Sequence, residues 1–149
     1  MPYPIEQKLV IAVSSSTLFD MQESDAIFRQ DGEKAYREYQ RKNIDIPLRT
    51  GVAFPFIKRL LSLNNAFPKE CPVEVILFSK NSPETGLRAF RSIQHYELNI
   101  SRACFSSGNS NHQYLPAFNS TLFLTTNIED AKEALANGIT AGVVGKQEI

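Results

Sequence analysis

Leu9-Val10-Ile11-Ala12-Val13-Ser14-Ser15-Ser16 decides the fold class of this chain. Five β-prone apolar residues run without alternation, as in a strand buried on both faces of a parallel sheet, and the run stops abruptly at three serines. The same grammar returns twice. Residues 73–78 read as a second strong strand, with an apolar run over 75–78, closed by Ser79-Lys80-Asn81-Ser82, and residues 121–124 as a third apolar strand, closed by Thr125-Thr126-Asn127. Weaker strands are expected at 100–105 and 140–144.

Helical patterns fill the gaps. Residues 21–43 are polar with Ile27, Phe28, Tyr36 and Tyr39 as apolar members, and Gly32 is expected to split them into two short helices. Residues 43–54, with Pro47 and Gly51, read as a loop. Residues 56–63 carry apolar side chains at 56, 57, 60, 61 and 63, the pattern of a helix packed on the core, which would bury Phe54 and Phe56. Ser82 and Pro83 are a plausible N-cap and first turn for a helix ending near His95. A polar loop follows at 106–111 and a short helix or turn at 113–118. Asn127 would cap a helix from Ile128 to about Asn137, which Gly138 would end. Strands alternating with helices predict βαβ units in a three-layer α/β fold with a mostly parallel sheet. We read one domain over 1–149, with residues 21–50 as a small helical insertion after the first strand.

Composition narrows the function classes. A chain of 149 residues has the size of one ordinary domain and needs no disulfide or metal to hold it together. It is 42% hydrophobic and 21% charged, ordinary for a globular protein. Sixteen Lys and Arg balance 16 Asp and Glu, so charge makes no case for nucleic acid or a membrane surface as a partner. Cys71 and Cys104 are two reduced thiols on this reading, with no spacing that suggests zinc. Apolar runs fall far short of the ~18 residues of a membrane helix, and the first residues lack the apolar stretch of a signal peptide. The expected location is the cytoplasm.

Ligands of open α/β sheets bind at the carboxyl ends of the strands. Three such ends here carry hydroxyl and amide residues: Ser14, Ser15 and Ser16; Ser79, Lys80 and Asn81; Thr125, Thr126 and Asn127. Together with helix N-termini they make an anion pocket of phosphate size, to which Lys80 adds a positive charge. Each loop taken alone is explained by capping and turn chemistry. Gly108, Asn109 and His112, in the later polar loop, are further candidates for phosphate or ribose. Asp20, one turn beyond the first strand, reads as a helix N-cap, and His95 as a residue favoured at a helix end.

The order of these loops resembles the haloacid dehalogenase (HAD) phosphatases, a Rossmannoid fold. That family has a strand ending in D-x-D, a helical cap, a strand ending in Ser or Thr, a Lys, and a strand ending in a pair of acids. I-A-V-S-S-S-T-L-F-D is similar to the first motif with Ser14 and Ser16 in place of both aspartates. V-I-L-F-S-K-N-S retains the second-motif serine as Ser79, and L-F-L-T-T-N-I-E-D-A has Thr125 and Thr126 where acids are expected. No adjacent base activates a serine here, and a hard cation such as Mg²⁺ lacks carboxylates to hold it.

A longer resemblance is to the N-terminal half of the cytosolic 5′-nucleotidase type I family. It is carried by I-A-V-S-S-S-T-L-F-D (11–20), A-F-P-F-I-K-R-L (53–60), R-S-I-Q-H-Y-E-L (91–98), S-G-N-S (107–110), Y-L-P-A-F (114–118) and L-F-L-T-T-N-I-E-D-A-K-E-A-L-A-N-G-I-T-A-G (122–142). The resemblance implies dephosphorylation of nucleoside monophosphates such as AMP, with Mg²⁺, in the cytosol. It also implies that the D-G-D nucleophile lies in a second, complete HAD half beyond residue 149, and that Pro116 stands where relatives have a lysine. On this resemblance the chain looks like a degenerate duplicate of that half, either a truncated piece or a natural stand-alone short relative. Three readings follow. A nucleotide- or phosphate-binding module that docks on a catalytic half or on a second copy ranks first. An inactive folded fragment ranks second, and a self-sufficient enzyme third, because deleting a nucleophile costs many orders of magnitude in rate.

Overall fold

A computed structural model of the chain describes residues 8–79, 83–100, 102–105 and 121–145. Its centre is β1 (Leu9–Ser14), flanked by β4 (Val73–Ser79) and β6 (Leu122–Thr125). Outside these lie β5 (Arg102–Phe105) and β7 (Ala141–Val143), giving the order β5-β4-β1-β6-β7 with every pairing parallel. The unbroken apolar run of β1 is explained by this central place. Ile11 and Val13 enter one hydrophobic cluster, and Val10 and Ala12 enter another on the opposite face. Burying each such aliphatic side chain contributes roughly 1.5–3 kcal/mol.

The larger cluster lies beneath α3 (Phe54–Leu61) and α5 (Pro83–His95), which add Phe54, Ile57, Leu61, Ala89 and Ile93. The smaller cluster is covered by α6 (Ile128–Ala136), through Ala134 against Val10, Ile76 and Phe123. Helix, sheet and helix make three layers, the α/β architecture expected from the alternation of strands and helices. The α5 helix runs over the expected span, and Asn127 caps α6, its side chain accepting from the Asp130 amide at 3.2 Å. Gly138 follows with φ 80°, the left-handed turn that ends a helix.

Three expectations are corrected. The loop at 43–54 contains β3 (Arg49–Thr50), which pairs antiparallel with β2 (Phe19–Asp20). Two-residue strands carry no periodicity, so the pattern hid them. Between these strands stands α2 (Gln22–Lys42), broken at Gly32, where φ 87° and ψ −177° interrupt the helix as expected. The α3 helix begins at Phe54, and its inner face is Phe54, Ile57 and Leu61. Phe56 is 51% exposed: it lies two residues, about 200° of helix rotation, from Phe54. Leu63 is likewise exposed and opens the short α4 (Leu63–Ala66). Asp20 does not sit at the N-cap, which is Met21; from one place earlier its Oδ1 accepts from the Gln22 amide at 3.0 Å.

The insertion is clasped to α5. Thr85 donates to the Tyr36 hydroxyl at 2.9 Å in the interior, and Arg37 and Arg41 meet Glu84 at the surface. Among the described residues no helix is long and apolar enough to cross a membrane.

Candidate functional site

The strand order makes the carboxyl ends of β4, β1 and β6 neighbours. Ser14 ends β1 and Ser79 ends β4; Thr125 ends β6. Past Ser14 the chain turns once through α1 (Ser15–Leu18), which aims successive hydroxyls in different directions. The Ser15 hydroxyl is buried and lies 3.4 Å from that of Ser79. The Ser14 hydroxyl lies 2.6 Å from Thr17 Oγ1 and 3.3 Å from Ser16 Oγ. Ser16 reaches the other way, 2.7 Å from Thr126 Oγ1. Thr125 Oγ1 accepts from the Asn127 amide at 3.1 Å, a turn bond that shapes the start of α6.

Seven of the residues singled out in the sequence, Ser14, Ser15, Ser16, Ser79, Thr125, Thr126 and Asn127, thus gather at one end of the sheet. They divide by role. Ser15, Ser79 and Thr125 are buried, and Asn127 caps α6. Ser16 and Thr126 line an open cleft of about 350 Å³. Lys80, Asn81, Gly108, Asn109 and His112 lie outside the described residues.

Except for Asp20, which the sequence reading weighed as a ligand contact and favoured as an N-cap, the opposite wall of the cleft escaped that reading. Asp20, Gln22 and Asp25 come from β2 and the start of α2, and Thr50, Gly51, Val52 and Pro55 from the end of β3 and the start of α3. Gly51 makes this approach close: its amide donates to the Leu18 carbonyl at 2.8 Å, and a Cβ there would sit 2.7 Å from the Thr17 carbonyl oxygen. The one available signal was a glycine in an otherwise unremarkable loop.

The chemistry of the cleft is that of hydroxyls and carboxylates. The hydroxyls of Ser14, Ser16 and Thr126 bond to other hydroxyls, and among the described residues no base is bonded to them. Asp20 and Asp25 line the cleft with Ser16, but among the described residues no three of His, Cys, Asp and Glu come together to hold a metal ion. Serine and threonine stand at the strand ends, and a hard divalent cation would need carboxylates there.

Comparison with known proteins follows the same line. A sequence model of the 5′-nucleotidase family matches residues 1–149. Cytosolic 5′-nucleotidase 1B of Homo sapiens is 33% identical over 150 positions, which take in 96% of this chain and 25% of that protein. The chain therefore spans a quarter of the length of this curated relative. Among solved structures, the HAD domain of the effector protein Lem4 from Legionella pneumophila, in an inactive mutant, superposes with a TM-score of 0.53. That likeness covers 95% of this chain and 88% of the other at 9% identity, and it is a likeness of fold.

Proposed function

Because the chain belongs to the 5′-nucleotidase family, we propose that it is a non-catalytic domain of that family. On this reading it binds the phosphate of a nucleoside monophosphate such as AMP at the carboxyl ends of β4, β1 and β6. One observation carries the reading: the turns after β1 and β6 bring the hydroxyls of Ser16 and Thr126 together on one cleft, 2.7 Å apart, where a HAD hydrolase would carry acids, with Ser79 enclosed behind them at the end of β4. Hydroxyls and backbone amides suit an anion. Lys80 and Asn81, next to Ser79 in sequence, belong to the proposed site, as do Gly108, Asn109 and His112.

Hydrolysis by this chain alone has no nucleophile in that arrangement. The donors at hand do not fit Mg²⁺, so no step is routed through it. By likeness to the longer relative, the domain would dock on a catalytic half or on a second copy, in the cytoplasm. A second reading, that the chain hydrolyses nucleotides, rests on Asp20 and Asp25 lining the cleft beside Ser16.

The deciding experiment measures AMP binding by calorimetry and phosphate release with Mg²⁺, for the chain and for Ser79→Ala. Saturable AMP binding without release, weakened in Ser79→Ala, is the expected result. Release that vanishes in Ser79→Ala overturns the non-catalytic reading, and absence of binding overturns the site.

A further inference from the structure

Arg88, on α5, is only 6% exposed. Its Nε donates to the Ile46 carbonyl at 3.0 Å and its Nη1 to Gln40 Oε1 at 2.9 Å, while the Tyr39 ring lies 5.7 Å from the guanidinium carbon. All three partners are neutral. Five more exposed arginines carry ion pairs: Arg37 and Arg41 with Glu84, Arg49 with Glu23, Arg91 with Asp45 and Arg102 with Glu74. Among the described residues the most enclosed arginine is thus held without an ion pair, and its Nη2 has no protein acceptor. A buried guanidinium is costly without a counter-charge, and it is a planar fork suited to oxyanions.

The side chain lines a cleft of about 200 Å³ between the insertion and α5, distinct from the cleft of Ser16 and Thr126. Arg49, Asp20 and Glu23 share this lining. Both acids already have partners: Glu23 receives the Tyr39 hydroxyl at 3.2 Å and pairs with Arg49 at 3.6 Å, and Asp20 receives the Gln22 amide. Their presence still sets the cleft against a ligand with more than one negative charge.

We infer that the Arg88 cleft is a second binding site, for a small, singly charged oxyanion. One oxygen of the anion takes the open Nη2–H of Arg88. The volume is that of about six or seven waters, which suits a ligand of a few heavy atoms. Asp20 and Gln22 line both clefts, so the bound anion lies behind the wall of the first one.

The test is an amide titration by NMR of the unmodified 149-residue chain, with sodium acetate and separately with inorganic phosphate, below neutral pH and at constant ionic strength. The expected result is a saturable shift of the Ile46, Leu48 and Arg49 amides and of the Arg88 Nε–H, with a rise in the thermal midpoint. In Arg88→Gln the affinity should fall roughly tenfold or more, the loss of a charged hydrogen bond. Response to acetate alone identifies a carboxylate ligand, and response to both anions an oxyanion of either kind. Shifts confined to Ser16, Gly51 and Thr126, or no saturable shift with either anion, overturn the inference. The map on the unmodified chain decides this even if Arg88→Gln does not fold.

Discussion

Ser16 and Thr126 stand 110 positions apart in the chain, and their hydroxyl oxygens lie 2.7 Å apart. This bond ties the turn after the central strand to the turn after its neighbour, and it does so on the wall of the main cleft. Removing it should loosen both turns together. Ser16→Ala and Thr126→Val are each expected to cost roughly 0.5–1.5 kcal/mol in urea unfolding. The double variant should cost measurably less than the sum, because the second change removes a bond already lost. Strict additivity would show that the two turns are independent.

Asn64 does the work of a strand neighbour. Its Oδ1 accepts from the Val73 amide at 3.0 Å and its Nδ2 donates to the Val73 carbonyl at 2.8 Å, closing the entry to β4. Asn64→Ala strands two backbone groups and should destabilise by roughly 2–4 kcal/mol. Asn64→Asp, which keeps the acceptor and loses the donor, should fall between. Equal midpoints for Asn64→Ala and the unmodified chain would refute the role.

Gly51→Ala should damage stability and the cleft alike. The added Cβ would meet backbone atoms of residues 17–19 at 2.7–2.9 Å, and backbone cannot swing aside as a side chain can. A loss of roughly 1–3 kcal/mol is expected, with chemical-shift changes at Thr17 and Leu18. A silent substitution would mean that the ribbon of β2 and β3 shifts freely.

Alkaline pH should weaken the clasp between the insertion and α5. Burial, above all, holds the Tyr36 phenol above its ordinary value of 10.0, and nearby Asp25 adds to this, while the bond from Thr85, the neighbouring Gln40 amide and the charge of Arg88 oppose it. In the unfolded chain the phenol ionises at its ordinary value. The stability contributed by the neutral buried phenol is therefore complete below about pH 10 and is lost as the pH rises from there toward the folded value. Urea midpoints across the tyrosine range should decline with pH, and less steeply in Tyr36→Phe. Parallel slopes would place the alkaline sensitivity at other groups.

Much of this architecture was legible without coordinates. Apolar runs at residues 9–13, 75–78 and 122–124 announced the three central strands, because a strand covered on both faces shows little polar alternation. Pro83 and Asn127 marked helix starts, and Gly32 marked the break in the insertion. The ribbon of β2 and β3 was not legible, since two residues per strand leave no period to read. Phe56 misled because a short apolar cluster does not reveal its rotational phase; within 56–63 only Ile57 and Leu61 are buried among the apolar residues. Asp25 gave no sign that it lines the cleft.

By itself, then, the sequence determined the class of fold, the family, and the absence of acids at positions 14, 16, 125 and 126. These are properties of local residue order. The tertiary structure alone decided that Ser16 meets Thr126 and that Ser15 meets Ser79. It also decided that Ser79 and Thr125 are enclosed while Ser16 faces the cleft, and that Arg88 is buried without a counter-charge. The reason is the strand order β5-β4-β1-β6-β7: parallel pairing sets distant loops side by side, and no local pattern encodes which loops those are.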